Sequence, residues 1–339
     1  MRTTVLQAAS SRAASTALAA AGVALLTLTG CGSGGGTTAD LEAGDPHAPE
    51  VTEVSVAGIM GPGPAAAWAA QESGIAAEYG LTIEPMWVDS SAISTTAVVS
   101  GEAAASIASY FGVIDAINQN LPLSIVAEAY ASSPDAAMLI ALPDSGIESV
   151  ADLPGKTVNV LSLNSSHAVK IKDQLMELGL DPESVNFVEL PYGEVPAALE
   201  QGTVDASSAV GTALQTSVDE LGAHVVFDYG DEPYLGMAES GFIMSNDFIS
   251  QNPNTTAALQ CALSRATQEL IDNRDLYEQF LSEVLGMGPE AIAADVPVDY
   301  EPTLRLDELQ RNADLYYETG YLDSEMDLTQ YALPIPDDC

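Results

Sequence analysis

Three histidines, three cysteines and a series of short loops carry the side chains that could do chemistry in this 339-residue chain. His47 lies in an acidic, Pro-containing stretch. His167 follows three capping-type residues, Asn164, Ser165 and Ser166, and His224 falls in a strand pattern. No His/Cys cluster has metal-ligand spacing and no G-x-S-x-G nucleophile elbow occurs, so neither a metal nor a catalytic set is expected. Gly58-Ile59-Met60-Gly61-Pro62-Gly63-Pro64 joins a strand to a helix without the dinucleotide spacing, and its prolines remove amides that a pyrophosphate would need. No cofactor is implied. His167 reads as a solvent-facing residue near a helix start, with a ligand contact as the alternative.

Ser, Asn and aromatic residues gather instead in loops between strands and helices. In open α/β sheets ligands bind beyond the carboxyl ends of strands, where helix N-terminal amides are exposed. The candidate loops are Met60–Pro64, Asp89–Ser91, Ser109-Tyr110 and Ser132-Ser133 in the first half, and Asn164–Ser166, Tyr192, Ser207-Ser208 and Tyr234 in the second. The ligand-binding candidates are therefore Met60, Asp89, Ser90, Ser109, Tyr110, Ser132, Asn164, Ser165, Ser166, Tyr192, Ser208 and Tyr234, with Trp68 as a further aromatic surface. Serine and asparagine at helix starts cap by default. Convergence of many such loops on one cleft is the stronger argument.

The elements that position these loops alternate between short β-rich runs and amphipathic helical stretches, which predicts α/β architecture with mostly parallel strands. The first series reads as strand 54–59, helix 64–78, strand 81–88, helix 92–100, strand 104–107, helix 111–118 and strand 123–129. The second reads as strand 157–161, a helix with Ala168, Ile171, Leu175 and Leu178 at helical spacing, strand 185–190, a helix ending near Gln201, strand 204–207, helix 212–221 and strand 224–227. Each half has the size of one small doubly wound unit. Beyond 241–244 the chain is mainly helical, with Leu259, Ala262, Leu263, Ala266 and Leu270 as a core stripe.

Lys and Arg total 9 against 49 Asp and Glu, a formal net charge of −40, and hydrophobic residues make up 47% of the chain. Globular cores are affordable, and nucleic-acid binding is excluded for want of a basic footprint. Self-repulsion favours a soluble monomer and suits a saline exterior as well as an acidic proteome.

Residues 1–30 hold Arg2 and Arg12, no acid, and a small-residue apolar run from Ala13 to Gly30, the pattern of a secretory signal. The run ends in Leu28-Thr29-Gly30-Cys31, which resembles the bacterial lipobox and implies lipidation of Cys31. Residues 31–50 then read as a flexible tether. Without residues 1–30 the chain has 7 basic and 49 acidic side chains, a net of −42, so lipid alone would anchor it at the outer face of the membrane. Two cysteines remain, Cys261 and Cys339. An oxidising exterior favours a disulfide between them, and two unpaired thiols are the alternative.

Several segments together resemble the periplasmic-binding-protein family of ABC importers, in its branch for nitrate, sulfonates, taurine and thiamine-pyrimidine precursors. They are Gly74-Ile75 with Tyr79-Gly80-Leu81, the run from Ser145-Gly146-Ile147 through Asp152-Leu153-Pro154-Gly155-Lys156-Thr157-Val158, Glu177 to Pro182, Ala198 to Ala206, and Asn252-Pro253. The resemblance implies two doubly wound Rossmann-like lobes joined by a hinge, a type II periplasmic-binding-protein fold with a helical C-terminal segment. Lobe one would be 51–136 plus 241–339 and lobe two 137–240. The implied partners are a small-molecule ligand and an ABC permease with its ATPase. Ala209-Val210-Gly211-Thr212 stands where much of the family has an acidic-Pro pair, so the ligand contact of that loop does not carry over. The His/Cys-rich motif of a eukaryotic pyrimidine-precursor synthase is missing. The ligand stays open between a sulfonate- or nitrate-like anion and a neutral heterocycle. A secreted α/β hydrolase, or a sensor lipoprotein of the same fold, are the other readings.

Overall fold

In the computed structural model, residue 41 and residues 44–339 are described. The chain begins with β1 (Glu53–Gly58), α1 (Ala65–Glu72), α2 (Ile75–Glu78), β2 (Thr82–Trp87), α3 (Ser91–Ser100), β3 (Ala105–Ser109), α4 (Tyr110–Asn118) and β4 (Leu123–Ala131). A second series follows: β5 (Ala137–Ala141), β6 (Thr157–Val160), α5 (Ser166–Glu177), β7 (Asn186–Glu189), α6 (Val195–Glu200), β8 (Ala206–Val210), α7 (Gly211–Leu221) and β9 (His224–Asp228). The last part comprises β10 (Ala238–Ser245), α8 (Asn246–Gln251), α9 (Pro253–Asp272), α10 (Arg274–Glu283), α11 (Pro289–Ala294), β11 (Asp299–Tyr300) and α12 (Leu306–Glu318).

These strands make two sheets, ordered β11-β4-β10-β3-β1-β2 and β7-β6-β8-β5-β9. In the first, β1 runs parallel to β2 and β3, while β10 is antiparallel to β3 and β4. In the second, β6 is parallel to β7 and β8, while β5 is antiparallel to β8 and β9. The sheets are thus mixed rather than simply parallel. The reason lies in the connectivity: β5 and β10 are the strands that the chain enters on passing from one sheet to the other. Each passage leaves at the carboxyl end of a forward strand and enters beside that same end, so the entering strand must run backwards.

Alternation across the pleat gives each sheet two covered faces. Leu139 and Ala141 join Val158, Ile171 and Leu175 on one side of the second sheet, while Ile140 joins Val195, Leu199 and Ala209 on the other. On the first sheet, Val54 and Val56 pack with α1, α9 and α10, and Ala57 packs with α4 and α12. The stripe of α9 expected as core is buried throughout.

Three local expectations are corrected. The helix expected over 64–78 is broken at Gly74, whose φ of +79° ends α1 before α2 begins. The strand expected over 204–207 starts at Ala206, because Asp205 is held at the edge by its carboxylate on the Thr157 amide (2.7 Å). β10 begins at Ala238, so the chain is back in the first sheet before residue 241.

Residues 44–50, read as the end of a tether, lie against the start of α9. Glu50 accepts from the Asn254 and Thr255 amides (3.1 and 2.8 Å), as an N-terminal cap should, and His47 stacks on Tyr79. At the other terminus a disulfide joins Cys261 of α9 to Cys339, and Gln260 donates to Leu333 and Pro334 carbonyls. The signal segment and Cys31 lie outside the described residues.

Candidate functional site

Two passages connect the sheets, 132–136 after β4 and 229–237 before β10, and they run against each other. Ser132 N donates to the Met237 carbonyl (2.8 Å), Gly236 N to the Ser132 carbonyl (3.0 Å) and Tyr229 N to the Ala137 carbonyl (3.1 Å). A Cβ on Gly230 would stand 1.9 Å from the Ser133 carbonyl oxygen, so this close approach requires glycine. By the connectivity above, the carboxyl ends of both sets of forward strands face this junction.

Side chains converge here from several elements. α5 begins just beyond β6 with Ser165 as its N-cap (side chain to Ala168 N, 3.4 Å), and helical spacing puts Ser166 and Lys170 on one face. Lys170 is fully buried. Its ammonium donates to Ser132 Oγ (2.7 Å), to the Tyr229 carbonyl (3.0 Å) and to the Glu239 carboxylate. Glu239, at the start of β10, also accepts from the Ser132 and Ser166 hydroxyls. Burial would raise its carboxyl, but the Lys170 charge and these hydrogen bonds outweigh burial and hold it below the usual range.

Aromatic groups wall the same junction. His167 stacks on Tyr229 with centroids 4.1 Å apart, and its Nδ1 lies 3.3 Å from Tyr192 Oη. Burial pushes its pKa down to about 4, so the imidazole is neutral at ordinary pH. Tyr229 Oη pairs with Ser208 Oγ (2.6 Å), and Tyr130 bonds to Ser240. Burial pushes Tyr130 up to about 12 and raises Tyr192 and Tyr229 as well. These hydroxyls stay protonated, so the wall offers stacking and neutral hydrogen bonds. Ser132 beside Lys170 has the residue types of a Ser–Lys pair. An ammonium committed to Glu239 has no lone pair to take the serine proton, however, so the arrangement holds rather than activates.

The structure brings Ser132, Ser166, Tyr192 and Ser208 together from the expected candidates, and joins Ser165 to them as the cap. Asn164 lies at the margin, donating to Asp115 of α4 (2.6 Å) and so clasping the two halves. The others lie elsewhere or inside. Tyr110 is wholly buried, its hydroxyl against Gly241, because α4 turns that residue into the core. Tyr234 is buried and donates to Asp173, and Trp68 faces Phe280 across 5.4 Å on the inner side of α1. Ser90 caps α3 through Ile93 N (3.3 Å), Ser109 occupies the N-cap position of α4, and Met60 and Asp89 are exposed on their loops. His167 is half-buried, with its ring stacked on Tyr229 rather than free in solvent.

Lys170, Glu239, Tyr130 and Tyr229 are missing from the sequence reading. One signal was present: Lys170 is among only three lysines in the chain, and it falls beside an apolar helical stripe.

This architecture is the two-lobed periplasmic binding protein fold. It is shared with the aliphatic sulphonate binding protein SsuA of Escherichia coli (TM-score 0.66, 19% identity, 83% of this chain and 97% of that one) and the nitrate-binding protein NrtA of Synechocystis PCC 6803 (TM-score 0.70, 17% identity, 84% and 87%). The family model described as NMT1/THI5 like matches residues 63–275, and the chain belongs to that family. In sequence it is 23% identical over 205 residues to an aliphatic sulfonates-binding protein of Escherichia coli strain K12, a match spanning 58% of this chain and 62% of the relative.

Proposed function

We propose that the protein is an extracytoplasmic solute-binding component of an ABC importer, and not an enzyme. It takes a small organic solute between lobes 51–136 plus 238–339 and 137–237, the second boundary moved to the start of β10, and passes it to a membrane permease and its ATPase. Lipid on Cys31 holds it, as a monomer, at the outer face of the membrane. The observation that carries this reading is the junction itself, where hydroxyls and aromatic rings from the carboxyl ends of both sheets converge on the two passages. Membership of the family and the sulfonate-binding relative support it. Ser132, Ser166, Tyr192 and Ser208 are the proposed ligand contacts, with Tyr130, His167 and Tyr229 beside them. Solute would shift the population towards the closed arrangement.

The test is a thermal-shift panel of sulfonates, taurine, nitrate, pyrimidines and amino acids on protein lacking residues 1–31. A bound solute stabilises the folded state by mass action. Stabilisation by one chemical class, lost in Tyr192→Ala, is the expected result; a panel without any shift would count against the reading. Labelling of whole cells with a palmitate analogue should mark the wild type and spare Cys31→Ser.

A further inference from the structure

Each of the seven lysines and arginines in the described residues already has a partner. Six contact carboxylates, and Lys156 donates to the Ser145 carbonyl. Two of them touch the passages: Arg311 donates to the Pro233 carbonyl and pairs with Glu308, whereas Lys170 alone sits among the junction hydroxyls and rings, and its anion is supplied from within by Glu239. Of the two, Lys170 has no exposed side-chain surface and Glu239 has 14%, so the carboxylate is the member that stands between the ammonium and solvent. Ser132 and Ser166, hydroxyls that would suit an oxyanion of a solute, also point their protons at Glu239. The positions for an anion are filled.

We propose that Glu239 is the specificity-determining residue of this cleft: its carboxylate occupies the one ammonium available there, so the cleft accepts uncharged or cationic solutes and turns anions away. The proposal rests on the solute-binding reading of the junction. A second acid group arriving beside Glu239 would meet a like charge in a partly dry site, within a chain carrying a net charge of −40. An uncharged ring meets neutral hydroxyls and the aromatic faces instead. The sulfonate in the name of the Escherichia coli relative therefore does not extend to this chain.

Glu239→Ala tests this, since it leaves a space beside Lys170 that an external anion can fill. The probes are ethanesulfonate and its uncharged analogue ethanesulfonamide, at constant ionic strength, read by thermal shift and calorimetry. The variant is expected to bind ethanesulfonate at least about tenfold more tightly than the wild type does, and to prefer it to the sulfonamide. A wild type that binds ethanesulfonate as tightly as the variant overturns the proposal, and so does a folded variant with no gain. A variant that folds only with ethanesulfonate present supports it. If it folds under neither condition the wild type decides, stabilisation by ethanesulfonate overturning the proposal and indifference to it supporting it. Failure of the solute-binding reading looks different: no uncharged or cationic member of the panel stabilises the wild type.

Discussion

Replacing Lys170 with methionine keeps most of the side-chain volume and removes the charge. It leaves the Glu239 carboxylate with only the Ser132 and Ser166 hydroxyls, and the Tyr229 carbonyl without its ammonium. Breaking one side of a buried pair costs about 3–5 kcal/mol, because the survivor is an uncompensated buried charge. For a chain of this size that corresponds to a fall in melting temperature of about 6–15 °C. The second change, Glu239→Gln on top of Lys170→Met, removes the stranded charge. The double variant should therefore be more stable than the sum of the single losses allows, by about 2 kcal/mol. The pH dependence has a definite sign. In the wild type the Glu239 carboxyl is held low, so its contribution is present above the unfolded pKa and fades as pH falls through the folded value. In Lys170→Met burial is opposed only by the Ser132 and Ser166 hydroxyls and raises the carboxyl; acid then protonates it and relieves the penalty, so the gap between variant and wild type narrows on acidification. Urea denaturation of the four proteins at neutral and acid pH measures all of this. A Lys170→Met loss below about 1 kcal/mol, or single losses that merely add, would refute the argument.

Other consequences follow from separate parts of the molecule. Cys339→Ser opens a loop of 78 residues and should lower stability by about 4 kcal/mol in urea, with a loss under about 1 kcal/mol contradicting the pinning of the tail. The His167 ring should titrate by NMR with a midpoint of about 4; a midpoint near 6.5 would mean that it is solvated. Because the folded pKa is the lower one, unfolding takes up a proton at this site as pH falls from 6.5 towards 4, and His167→Phe should flatten part of that acid-side loss. Gly230→Ala places a methyl on the Ser133 backbone, so it should cost about 3 kcal/mol; a neutral effect would show that the two passages separate freely.

Much of the fold is legible in the sequence because period-2 and period-3.6 patterns are local, and each forward strand and its following helix carries one. β5 is not: its residues Ala137–Ala141 follow Ser132-Ser133-Pro134-Asp135, and nothing local shows that the strand returns reversed from another sheet. Nor can a list of Ser and Tyr positions separate Ser208, which faces the junction aromatics, from Tyr110, which the helix turns inward. Loop chemistry points to the carboxyl ends of the forward strands, which the chain's two passages between the sheets bring face to face. The ion pair that occupies their centre joins residues 69 positions apart and has no local signature beyond the rarity of lysine.

A solute enclosed at the junction of the two lobes must draw them together on binding. Small-angle X-ray scattering on protein lacking residues 1–31, with and without the solute that gives the largest thermal shift, tests it most directly. Saturating solute is expected to lower the radius of gyration of the wild type and to leave that of Tyr192→Ala unchanged. A solute that binds tightly yet leaves the scattering of the wild type unaltered would contradict it.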